Sequence, residues 1–295
     1  MAQQPIAEVF GFPIDNLSDK ATRHRENRLC PFNNKVPNCT KDKAKNPLGV
    51  CSVFDSQRTP VITCPVRFRQ DWLIAEHAAQ FFFDEGQPWT SLTEIRINDA
   101  EGISAGNIDL VLVAYDEHGR LTDFGSLEIQ AVYISGNIRT HFEDYMENPV
   151  GYTTGKASNL SNFPRPDYLS SSRKRLLPQL LYKGSILKSW KKKQAVALNR
   201  GFYDTLPVFD EVSREEADIV WLVYDLQLDT NTNEYELKLY KTVYTLFEPA
   251  LAQISNPRIG SLDNFMQHLQ LKLDEKLETG SNAPDTSILT DNDLV

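Results

Sequence analysis

Two apolar runs that each carry an acid constrain this chain more than any other feature. "NIDLVLVAY" and "GSLEIQAVYI" flank the turn "DEHGR", and two strands joined by such a turn predict an antiparallel β-hairpin. Asp109 stands at the start of the first strand; Glu128 lies in the second, with Gln130 two residues on. Side chains alternate along a strand, so Glu128 and Gln130 share a face, and pairing through the hairpin sets Asp109 beside Glu128. A lone strand acid usually just faces solvent. These two have apolar flanks, where an ionised group needs a partner or a metal. Two converging carboxylates make a hard oxygen site suited to Mg2+, an ion that neutralises charge on a phosphodiester under attack. Glu94 in the preceding strand, or Glu76 on the preceding helix, is available as a further carboxylate.

The surrounding pattern runs helix, three strands, helix, then more strands, which predicts an α/β or α+β core with a mixed sheet covered on both faces. In "RFRQDWLIAEHAAQFFFDEG" the spacing of Trp72, Ala75, Ala79 and Phe82 predicts an amphipathic helix stopped by Gly86. "SLTEIRIND" alternates as a strand. "RKRLLPQLLYKGSILKSWKKKQAVALNRGF" reads as helical, with Pro178 and Gly184 as points of kinking or division. "DIVWLVYDLQL" and "YELKLYKTVYTLF", joined by "DTNTNE", predict a second hairpin. Three regions follow: residues 1–66, 67–250 and 251–295. The first is rich in Asn, Pro, Lys and Cys and lacks periodicity, so it is expected to be loops held by something other than a hydrophobic core. The last is expected to hold one helix, Leu262–Leu277, and a disordered polar tail. No apolar stretch approaches the ~18–20 residues of a membrane span, and "MAQQPIAEVFGFPID" lacks the basic and apolar blocks of a secretory signal. A cytoplasmic protein without a membrane segment is expected.

All four cysteines fall in the first region: Cys30, Cys39, Cys51 and Cys64, spaced C-x8-C-x11-C-x12-C. Disulfides are disfavoured in the cytoplasm, so their confinement to one loop-rich stretch suggests a tetrahedral thiolate site for Zn or Fe. The absence of a C-x2-C pair leaves room for the plainer reading of four unrelated buried thiols. Lys41, Lys43, Lys45 and Arg58 lie in the same region and suit contact with DNA.

Net charge is −9, against a polyanionic partner when taken alone, yet Ser171–Tyr203 holds nine Lys/Arg and no acid. Arg173, Lys174, Arg175, Lys183, Lys188, Lys191, Lys192 and Lys193 fall on or just before the second helical region. A charge run is usually a solvated helix face, but such faces mix signs. This one suits phosphate neutralisation on DNA. The preceding loop, "GYTTGKASNLSNFPRPDYLSSS", offers small polar donors with Lys156 and Arg165 for base-edge contacts.

"NIDLVLV…SLEIQ" resembles the PD-(D/E)XK nuclease core, with Asp109 as the first acid and Glu128 as the second. The wider context, "FGFPIDNLSDKATRHRENRLCPFNNKVPNCTKDKAKNPLGVCSV" together with "LEIQAVYISGN", resembles the NotI-type restriction endonucleases across most of residues 9–250. Two departures from the superfamily pattern stand out: Ile108 replaces a proline and Gln130 a lysine. A lysine would bring a point charge and three donors. Gln130 can orient water or bind a metal but carries no charge, so that charge must come from metals or a nearby Lys or Arg. The NotI-type family shares the E-x-Q form, so the resemblance implies a working variant. It implies a type II restriction endonuclease that hydrolyses double-stranded DNA with Mg2+, using Asp109, Glu128 and Gln130. It also implies a GC-rich palindromic target, a homodimer matched to the target's two-fold symmetry, and a structural four-cysteine site holding iron. The competing readings are a non-catalytic DNA-binding protein that uses the four-cysteine module, its acids structural, and a repair-type nuclease.

Overall fold

In the computed structural model, which describes residues 4–33, 36–41, 46–155, 163–256 and 259–278, the N-terminal stretch expected as loops builds a sheet. Strands β1 (Ile6–Val9), β2 (Phe12–Pro13), β3 (Val50–Phe54) and β4 (Pro60–Ile62) pair antiparallel in the order β2-β1-β3-β4. They have a hydrophobic core of their own: Ile6, Val9, Phe10, Val50 and Val53 pack on Phe142 and Tyr145 of the helix Ile138–Glu147. Strands of two to five residues are too short to show a period in the sequence, which is why the region reads as loops.

The chain continues through β5 (Trp89–Asn98), β6 (Ser104–Tyr115), β7 (Leu121–Gln130), a small pair β8 (Tyr133–Ser135) and β9 (Arg165–Asp167), then β10 (Gln194–Asn199), β11 (Ile219–Asp229) and β12 (Glu234–Thr245). Both expected hairpins, β6–β7 and β11–β12, are present and antiparallel. They do not pair with each other. β10 lies between them and pairs parallel to both β7 and β11, giving a mixed six-stranded sheet in the order β12-β11-β10-β7-β6-β5. "QAVALN", which the sequence pattern continues as helix, is a strand with all six residues buried. Strands covered on both faces lose the alternation that marks them in sequence, and Ala195 and Ala197 read as helix formers.

Helices cover both faces, as the pattern implied. On one face Ala75, Ala78, Ala79 and Phe82 of the helix Leu73–Phe82 pack on Leu110, Leu112, Leu127, Ile129, Ala195 and Leu222. That helix begins later than its spacing predicts: Asp71 and Trp72 take left-handed φ of 51° and 56°, which separates it from a 3-10 segment over Pro65–Trp72. On the other face Leu176, Leu180, Phe247 and Phe202 pack on Val196, Leu198, Trp221 and Val223. The first two belong to a helical run over Tyr168–Ser170, Ser171–Leu176, Leu177–Gln179, Leu180–Gly184 and Ser185–Ser189, with π-type turns at Ser171–Leu176 and Leu180–Gly184. Pro178 removes a backbone donor inside the run, where widened turns accommodate it. Gly184 allows close docking: a Cβ there would meet Phe247 Cε2 at 2.6 Å and Gln194 Oε1 at 3.0 Å.

A fully buried ion pair joins the two sheets. Arg67 Nε donates to Glu8 Oε1 at 3.0 Å, Ser52 Oγ donates to Glu8 Oε2 at 2.7 Å, and Arg67 reaches the Tyr235 carbonyl of β12 at 2.7 Å. Met1–Ser255 form one compact unit and Asn256–Val295 another. Within the second unit the helix Leu262–Glu278 occupies the expected span. Among the described residues no helix is long and apolar enough to cross a membrane.

Candidate active site

The β6–β7 register, Leu110 opposite Leu127, continues to Asp109 opposite Glu128, so one hairpin sets the two acids side by side. Asp109 is half-buried, and its Oδ2 accepts the Ile129 backbone N–H at 2.9 Å. Glu128 is 5 % exposed and Gln130 2 % exposed. By register with β10, Glu128 lies beside Val196 and Gln130 beside Leu198, so both face the helical run that covers that side of the sheet.

That run supplies two partners that the sequence reading does not place here. Gln179 Oε1 accepts from Gln130 Nε2. One turn on, Lys183 Nζ stands 2.6 Å from Glu128 Oε1 and donates to the Asn107 carbonyl at 2.8 Å. Lys183 is 4 % exposed. The basic run sets it on a DNA-facing surface; the fold instead buries it against the acid pair. The signal available in sequence is its isolation within the apolar run "LLPQLLYKGSIL", where a lone cation needs a buried partner.

Lys183 is the ion-pair partner of Glu128 Oε1, while Glu128 Oε2 is buried without a hydrogen-bond partner. Burial and then the neighbouring Asp109 carboxylate push the Glu128 carboxyl up to about 8, against the pull of Lys183. Two adjacent carboxylates, one of them buried with an unpartnered oxygen, fit a divalent cation. Glu94 falls between Thr93, which pairs with Leu110, and Ile95, which pairs with Ile108, so it lies at the level of Asp109 on the next strand. Its backbone takes φ of 57°, an unusual state for a strand residue. Glu76 lines a different hollow, with Gln80, Asp84 and Arg214.

Cys30, Cys39, Cys51 and Cys64 line one cavity of about 580 Å³ with Phe10, Phe32 and Arg175. Burial pushes the Cys30 thiol up to about 11, with Cys64 and Cys39 adding to the rise, and burial also raises the Cys51 thiol well above its ordinary value. Among the described residues no three His, Cys, Asp or Glu side chains already converge as a metal shell. The four thiols therefore share a cavity without closing around its centre.

The basic segment divides. Arg173 and Lys174 are exposed, while the half-buried Arg175 lies 5.0 Å over the Tyr133 ring. Lys188 pairs with Asp218 at 2.7 Å, Lys192 pairs with Asp123, and Lys191 is exposed. Arg165 is exposed on β9, opposite Ser135. Lys41 donates to the Val50 carbonyl and Arg58 to that of Gln4. Lys43, Lys45 and Lys156 lie outside the described residues.

Comparison with curated proteins returned no match. A family model described as "Restriction endonuclease NotI" matches residues 15–237, a span that contains the four cysteines, both acids, Gln130 and Lys183.

Proposed function

The chain belongs to the NotI restriction endonuclease family and is thus a site-specific deoxyribonuclease, and from this premise we propose that it hydrolyses DNA with Mg2+ in a PD-(D/E)XK-type site built on the β6–β7 hairpin. Asp109 and Glu128 hold the cation; Glu94, at the level of Asp109 on β5, does not already converge with them and would have to turn inward to join as a further carboxylate. A cation bound there supplies the positive charge that phosphodiester hydrolysis requires. Gln130, fixed by Gln179, orients the attacking water through its carbonyl oxygen. The observation that carries this reading is Glu128 itself: a buried carboxylate with Oε2 unpartnered, opposite a second acid, in the motif that the resemblance singles out.

A GC-rich palindrome read by a homodimer follows from the family resemblance and from the two-fold symmetry of such sites. Arg165, Arg173, Lys174, Arg175 and Lys191, with Lys156, contact DNA; exposure supports the first three and Lys191. The four cysteines hold structural Fe or Zn, supported by their shared cavity and by the softness of a thiolate set. The division of labour is then residues 1–66 for metal binding and DNA contact, and 67–250 for cutting.

The test is digestion of phage DNA with Mg2+, beside Asp109→Ala and Glu128→Ala. Discrete bands from wild type and none from either variant are expected. Cleavage that survives both substitutions would overturn the site.

A further inference from the structure

We propose that Lys183, delivered from the covering helix, supplies the positive charge at the acid pair that Gln130 cannot. This inference rests on the acid-pair site proposed above and adds a residue to it.

Hydrolysis of a phosphodiester forms a bond from the water oxygen to phosphorus and breaks one P–O ester bond. Negative charge builds on the phosphate oxygens in between, the water gives up a proton to solvent, and the leaving oxygen takes one up. A side-chain cation at that point stabilises the charge, and a neutral amide does so only through its N–H dipole. One of the two N–H donors of Gln130 Nε2 is taken by Gln179, and the amide carries no charge. Lys183 Nζ is 2.6 Å from Glu128 Oε1. An ammonium has three donors; with one on the Asn107 carbonyl and Glu128 alongside, a donor is left for a phosphate oxygen or the attacking water.

The arrangement is built, not incidental. Gln179 and Lys183 stand one turn apart on the same helical run, so one docking event sets the amide on Gln130 and the ammonium on Glu128. Gly184 holds that docking close: it lies against Phe247 and Gln194, and Gln194 Nε2 donates to the Gly184 carbonyl at 3.1 Å. A lysine whose only task was to lie on a helix surface would not be 4 % exposed in this position. The purely structural alternative, a buried ion pair that merely neutralises Glu128, makes a different forecast when the charge is moved.

The experiment moves it. Full-length Lys183→Met, Gln130→Lys/Lys183→Met, Asp109→Ala and Glu128→Ala are compared with wild type in single-turnover cleavage with Mg2+. DNA affinity is measured by gel shift with Ca2+, and thermal melting checks folding. Lys183→Met is expected to cut about 100-fold more slowly or worse, the loss typical of a deleted transition-state donor, with gel-shift affinity within about threefold of wild type. Relocating the lysine to position 130 should recover about tenfold or more of that loss, since the charge returns to the same face of β7. Lys183→Gln, which still donates to the Asn107 carbonyl, is read instead if Lys183→Met does not fold. Cutting within about threefold of wild type by the lysine variant overturns the inference, as does a folded double variant no faster than the single one. If Asp109→Ala and Glu128→Ala also cut, the acid-pair site falls; if they are dead while the lysine variant cuts, only the role of Lys183 falls.

Discussion

Glu128→Gln offers a test of the site that needs neither DNA nor turnover. In the folded, metal-free protein the Glu128 carboxyl is raised to about 8 from its ordinary 4.5, chiefly by burial. A folded pKa above the unfolded value means that the folded state binds the proton more tightly. The stabilisation is complete below pH 4.5 and is lost as pH rises toward 8, at about 1.4 kcal/mol per pH unit. Between about pH 6 and pH 9, the loss is about 3 kcal/mol. The amide of the Glu128→Gln variant does not ionise, so its stability relative to wild type should grow by that amount over the same interval. The assay is urea or thermal unfolding of both proteins in EDTA at several pH values above the sequence pI of 5.1. For a chain of this size the gap in midpoint should widen by roughly 6–12 °C. Excess Mg2+ should close the gap by stabilising wild type, because the cation binds the ionised carboxylate. A gap that stays constant within about 1 kcal/mol would refute the reasoning, since Glu128 would then be solvated and its burial would carry no consequence.

Arg67→Met should cost about 3–5 kcal/mol in urea unfolding, because it strands the Glu8 carboxylate in a site from which water is excluded; a loss below about 1 kcal/mol would show that water reaches Glu8. Elemental analysis of the purified protein should find about one iron or zinc per chain, lost in Cys51→Ser, and a metal-free wild type would sink the thiolate centre. Arg173→Ala and Lys174→Ala should each lower the slope of log affinity against log salt by about 1 if each meets a phosphate. Lys192→Ala should leave that slope unchanged, since Asp123 already neutralises it.

The hairpins and the acid pair were legible in the sequence because they depend on near neighbours. The short turn between two apolar strands sets the register, and the register alone puts Asp109 opposite Glu128. The helix at Leu262 and the family's residues were legible for the same reason: a local pattern or a contiguous motif carries them. Other features required the tertiary structure. β10 is a strand because β7 and β11 flank it on both sides; its own six residues, two of them alanine, do not distinguish strand from helix. The N-terminal sheet closes by pairing β1 with β3 across some forty residues, a contact with no local signature. The place of Lys183 is the most remote of all. It depends on a helical run docking over β7, held close at Gly184 by Phe247, which lies more than sixty residues further along the chain. Sequence thus determined which strands carry the acids, through interactions that repeat every second residue. Which cation meets those acids was decided by packing between distant segments, where burial converts one lysine of a basic run into the partner of a carboxylate.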